Sequence, residues 1–129
     1  MARKDFDPST FLPDARPPAQ ARLFDPGTEG PWRGFVEGIA IGGPVTVLAY
    51  GTDTPGAGPR LHVHPYDETF IVLEGRARVF VGETVLEAGA GEVVFGPAGI
   101  PHRFENIGPG RLQTIDIHHS PRWIQTDLD

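Results

Sequence analysis

No cysteine occurs in this 129-residue sequence. Disulfides, thiolate catalysis, iron–sulfur clusters and any cysteine-ligated zinc site are thereby excluded. There is no basic run either: 11 Lys and Arg stand against 17 Asp and Glu, a formal net charge of −6. Nucleic acid and anionic membrane surfaces are poor partners for such a chain. No apolar stretch reaches the length of a membrane span. Residues 1–8 lack the apolar run of a signal peptide, so a cytoplasmic protein is expected. Internal repeats are missing, and so is helix-length periodicity, apart from one turn expected near 121–126.

Glycine and proline are plentiful, at 17 and 14 residues. Both oppose long helices and favour short strands joined by tight turns. The first 33 residues carry Pro8, Pro13, Pro17, Pro18, Pro26 and Pro31, with Phe6, Phe11, Leu12, Leu23, Phe24 and Trp32 between them. We read residues 1–33 as an extended arm that docks its apolar side chains on the main body or on a partner subunit. Strand-like segments follow at 35–40, 45–50, 60–64, 68–73, 77–81, 83–87, 92–95, 101–105 and 112–119, many alternating with period two. This density of short strands predicts one all-β domain, a sandwich or barrel over 34–119, with a tail at 120–129.

The chemistry lies in the histidines. His62 and His64 are two apart on a strand-like segment and therefore share a face. Glu68 stands at an even offset from both. Two imidazoles and a carboxylate on one face suit a divalent transition metal. His102 enters another strand after the turn at 99–101, and a barrel could bring it opposite the first three.

The surrounding glycines and prolines form two patterns: Gly56-x5-His62-x-His64-x3-Glu68-x6-Gly75 and Gly91-x5-Pro97-x-Gly99-x2-His102-x3-Asn106, with 15 residues between them. These resemble the two signature motifs of the cupin family, with every fixed position matched. The resemblance implies a jelly-roll barrel (a double-stranded β-helix) with a metal inside it. Carried over, the ligands are His62, His64, Glu68 and His102. Gly56, Gly75, Gly91 and Gly99 become turn residues, Pro97 and Pro101 stiffen the loop presenting His102, and Asn106 becomes a backbone anchor. Fe, Mn, Ni, Co and Zn all tolerate three nitrogens and one oxygen, so one divalent ion per chain is expected without a choice among them. Zinc could instead close the four ligands as a structural tetrahedron.

Around this site Phe70 shares parity with Glu68 and should face inward. Tyr66 belongs at the rim, and Phe95 and Phe104 flank His102. On the last strand Gln113, Ile115 and Ile117 alternate with Leu112, Thr114, Asp116 and His118. Burying two isoleucines is favourable and burying an Asp is costly, so we expect Gln113 inward as a substrate hydrogen-bonder and His118 and His119 exposed; in the opposite register Asp116 and His118 would point in as a pair behind the metal or as a base. Arg60 and Arg103 are candidate clamps for an anionic substrate. Trp123 and Ile124 come too late for the barrel core and suggest a contact with a second subunit, as in the homodimers common among small cupins. The function expected is a metal-dependent enzyme for a small organic substrate. A quercetinase-like dioxygenase is favoured over a metal-dependent isomerase, decarboxylase or lyase, and over a non-catalytic module binding a sugar or acid.

Overall fold

Ten strands account for nearly all the regular structure in the computed structural model, which describes residues 2–28 and 30–129. They are β1 (Trp32–Val36), β2 (Thr46–Thr52), β3 (His62–Val63), β4 (Glu68–Glu74), β5 (Arg76–Val81), β6 (Thr84–Gly89), β7 (Val93–Gly96), β8 (His102–Asn106), β9 (Leu112–His118) and β10 (Thr126–Asp127). Two five-stranded antiparallel sheets result, one ordered β1-β2-β9-β4-β7 and the other β10-β3-β8-β5-β6. The all-β double-stranded barrel expected from the sequence is what the chain forms. No helix among the described residues is long and apolar enough to cross a membrane.

Strand register sorts the interior into layers. In the first sheet Thr46, His118, Glu68 and Gly96 lie in one inward row at the mouth. Leu48, Asp116, Phe70 and Val94 form the next, and Tyr50, Thr114 and Val72 the one below. In the second sheet His62, His102 and Val81 face the mouth row, with Phe104 and Val79 beneath. The apolar core therefore fills the closed end. Tyr50 and Phe70 both meet Phe104 edge-on, at 5.1 and 5.8 Å between ring centroids. That core is the platform under the histidines: Phe70 packs edge-on to His102 at 5.5 Å.

Several local expectations need correction. The expected strand 35–40 is β1 ending at Val36, followed by a 3₁₀ turn over Gly38–Ala40. The tail forms no helical turn at 121–126. It bends back and pairs β10 with β3, against its own barrel rather than outward. Phe95 is on the outer face and exposed, while Phe104 is core. Of the arm, Met1 and Glu29 lie outside the described residues. Leu23 and Phe24 pass close over Gly34, but Phe6, Phe11 and Leu12 are exposed and unseated on this chain.

Candidate metal centre

His62, His64, Glu68 and His102 come together at the mouth, as expected, each at most 5 % exposed. One ligand atom from each can be chosen so that all four lie within 4.8 Å of one another. The two histidines of β3 and its exit reach across to β8 because His62 pairs directly with His102. Glu68 arrives from the opposite sheet at the start of β4.

The backbone fixes how these rings present themselves. His62 Nδ1 lies 2.6 Å from Arg60 O, His64 Nδ1 2.8 Å from Ile124 O, and His102 Nδ1 3.2 Å from Ile100 O. A carbonyl only accepts, so each Nδ1 carries a proton, and in the neutral ring each Nε2 is then left with a lone pair. Holding the outer nitrogen in this way is how proteins orient imidazoles toward an ion. The inner nitrogens of His64 and His102 sit 3.0 and 3.4 Å from Glu68 Oε1. None of these atoms finds a hydrogen bond of acceptable geometry: His64 Nε2, His102 Nε2 and Glu68 Oε1 are buried and unpartnered. Buried polar atoms rarely stay so, and this set could hold a metal ion.

Electrostatics agree with that chemistry. Burial, opposed in part by the bond to Arg60 O, pushes His62 down to about 4, so the ring is neutral at pH 7. Burial alone would push Glu68 up. Imidazole N–H groups of His102, His118 and His64 turned toward it would outweigh burial and lower it; where the inner nitrogens of His64 and His102 carry lone pairs instead, a cation would take that part. Three imidazole nitrogens and one carboxylate oxygen suit a borderline divalent cation.

The candidates drawn from β9 change places. Leu112, Thr114, Asp116 and His118 face inward, while Gln113, Ile115 and Ile117 face outward. Gln113 therefore cannot reach a substrate in the barrel. The outer sheet face is itself apolar and only half-exposed, so the isoleucines gain cover without entering the core. His118, expected on the surface, sits beside Glu68 in the strand register with Nε2 2.9 Å from Oε1. The clue in the sequence was Leu112, which shares its parity and is fully buried. Asp116, one row deeper, is 1 % exposed with Oδ1 unpartnered. Burial and the nearby Glu68 push it well above the ordinary carboxylate range.

The other candidates are not clamps. Arg60 turns outward to Asp129 O at 3.0 Å, and its contribution is its carbonyl. Arg103 lies 4.0 Å over the Phe80 ring on the outer surface. Tyr66 is at the rim, as expected, stacked on His64 with 5.0 Å between centroids. Asn106 is the expected anchor: it accepts from Gly108 N and donates to Gly110 O, at 2.8 and 3.0 Å.

Comparison with known proteins follows the same lines. A family model described as a cupin domain matches residues 49–118. An uncharacterised protein of Streptomyces coelicolor is 41 % identical over 44 residues, which are 34 % of this chain and 42 % of that protein, so the match spans less than half of that relative. Oxalate decarboxylase of Bacillus subtilis, studied for its Mn(II) centres, superposes with a TM-score of 0.69 at 22 % identity, over 81 % of this chain and 30 % of that one. An uncharacterised Klebsiella pneumoniae protein with a double-stranded β-helix domain gives 0.65 at 22 %, over 81 % and 84 % of the two chains. At such identities the likeness shows the fold. With both motifs in place and the family model covering more than half of its length, the chain belongs to the cupin family.

Proposed function

We propose that this protein is a metal-dependent enzyme that converts a small organic molecule at the mouth of the barrel. The observation that carries the proposal is the shared wiring of His62, His64 and His102. Three carbonyls hold their outer nitrogens and leave their inner lone pairs beside one carboxylate. His62, His64, Glu68 and His102 would hold one Fe, Mn, Ni, Co or Zn ion. A bound ion there supplies Lewis acidity and, where it is redox-active, electrons for O₂. Four protein ligands leave an octahedral ion able to take substrate, and we assign O₂-dependent cleavage first. Asp116 favours a second reading. A buried acid behind Glu68 that holds its proton more tightly than an ordinary carboxyl is a proton donor of the kind a non-redox decarboxylation or isomerisation needs.

Metal analysis of protein purified without chelator or nickel resin tests the site, with O₂ uptake measured on phenols, flavonols and diketones. About one Fe, Mn or Ni per chain with substrate-dependent O₂ uptake supports the first reading. Bound metal without uptake, but with CO₂ release from small carboxylic acids, supports the second. Metal with no turnover at all leaves a binding module for a sugar or acid. His62→Ala and His102→Ala should each lose most bound metal and the thermal stabilisation it brings. Full stoichiometry in either variant would refute the ligand assignment.

We further propose that two copies pair through the outer face of the first sheet. Register places Val47, Ile117 and Phe95 in one outward row and Ile115, Ile71 and Val93 in the next. Val93 and Phe95 are 63 % and 55 % exposed. The apolar arm end at Phe6, Phe11 and Leu12 has no seat on its own chain, so a second copy can supply what both surfaces lack.

A further inference from the structure

His118 and the three candidate ligand histidines are wired in opposite senses. Tyr66 Oη accepts from Ile124 N at 3.1 Å and stands 2.7 Å from His118 Nδ1. A phenol carries its proton at neutral pH. With one lone pair on the Ile124 amide, its O–H donates to His118 Nδ1. The proton of His118 is then on Nε2, the atom 2.9 Å from Glu68 Oε1. His118 thus faces the carboxylate with a donor, where His62, His64 and His102 face it with lone pairs.

Both ends of this wiring meet at one residue. The Ile124 carbonyl accepts from His64 Nδ1, and its amide donates to Tyr66, which holds His118 with Nε2 2.9 Å from Glu68 Oε1. Ile124 belongs to a strap formed by residues 123–128. Trp123 N donates to Glu37 Oε2 at 3.0 Å, and its ring packs edge-on to Phe35 at 5.0 Å and to His118 at 6.0 Å. Beyond it β10 pairs with β3, and Leu128 N donates to Leu61 O at 2.8 Å. At the mouth the strap touches His64, Tyr66 and His118.

We propose that this strap is coupled to the metal centre. The Ile124 peptide, through His64 directly and through Tyr66 and His118 indirectly, positions two of the four ligands, so strap docking and metal binding favour each other. His118 is a positioning residue and not a fifth ligand. This rests on the metal reading above. By linkage, whatever factor strap docking adds to metal affinity, metal must add to strap docking.

The test uses the full chain, with Co²⁺ and Zn²⁺ as probes. Calorimetric titration gives affinity, Co²⁺ absorption reports coordination, and amide hydrogen exchange reports residues 123–128. In the wild type, bound Zn²⁺ should slow exchange across the strap. Tyr66→Phe keeps the ring on His64 but cannot donate to His118. It should weaken metal binding about 10- to 100-fold, the usual effect of removing an outer-shell partner, and speed strap exchange in the presence of metal. His118→Leu should do the same. His118→Gln, whose amide can place an N–H near Glu68, should restore part of the affinity with an unchanged Co²⁺ spectrum. A wild type that takes up no Co²⁺ or Zn²⁺ refutes the metal reading and the coupling with it. Normal metal uptake with strap exchange indifferent to metal, and Tyr66→Phe binding as the wild type does, refutes the coupling alone. A changed Co²⁺ coordination number in folded His118→Gln would make His118 a ligand and refute its positioning role.

Discussion

Asp116 shows what a buried charge costs a small barrel. Its neighbours in the inward row are Leu48, Phe70 and Val94, and Oδ1 has no partner. In the unfolded chain it ionises near the ordinary carboxylate value, whereas in the fold burial holds its proton to higher pH. Between those two values the folded chain keeps a proton that the unfolded chain has released. Stability therefore declines as pH rises through that window. Asp116→Asn removes the liability with nearly the same shape. Metal-free Asp116→Asn should melt close to the wild type near pH 4 and increasingly above it toward pH 8. A melting difference that is flat with pH would mean Asp116 is ionised in the fold. The same residue explains why its strand was hard to read. From composition alone two isoleucines outweigh one aspartate for a place inside, and only a protonated Asp116 makes the reverse parity affordable. The His62, His64 and Glu68 set was legible because it sits on one short stretch with fixed even offsets. For His118 the sequence offered only the parity it shares with Leu112, and its role depends on its cross-strand neighbour.

Turns and strands were legible to different degrees. The motif glycines do what their spacing implied, and two of them separate the causes of their need. Gly75, between β4 and β5, has φ +82°, and a Cβ there would run into the Arg111 carbonyl. Gly91 has φ +87° with open space around it. Gly91→Ala should cost only the strained backbone, about 1 kcal/mol. Gly75→Ala adds a backbone clash that no side-chain motion relieves and should cost on the order of 3 kcal/mol. Urea unfolding of the two variants checks the order, and equal losses would mean the chain at Arg111 yields. The strap escaped a sequence reading because β10 is two residues of ordinary polarity, Thr126 and Asp127, whose pairing with β3 has no signature of its own. Bulky residues at 123 and 124 signalled a covered surface. They could not say that the covered surface was the mouth of the same barrel.

Among the described residues, both faces of the first sheet carry apolar side chains, and the inward one is the core. The inward layers are filled, yet the opposite face of the first sheet carries Val47, Ile117, Phe95, Ile115, Ile71 and Val93 in adjoining rows. A groove lined by Leu23, Val36, Ile41 and Val47 continues it beside the arm. An isolated monomer gains little by displaying such rows, which are the surface proposed above as the contact between copies. Two copies meeting through this face would bury identical rows against each other, as a two-fold contact requires. Phe95 is the probe of choice because its side chain touches neither the metal centre nor the inward layers. Phe95→Glu should place a charge on each side of such a contact and shift sedimentation from dimer to monomer. Its far-UV dichroism and metal content should stay those of the wild type, since the mouth lies on the other side of the sheet. A wild type that sediments as a monomer at micromolar concentration would refute pairing through this face. A Phe95→Glu variant that remains dimeric would move the contact elsewhere, and the exposed arm around Phe6 and Phe11 would then be the surface to truncate next.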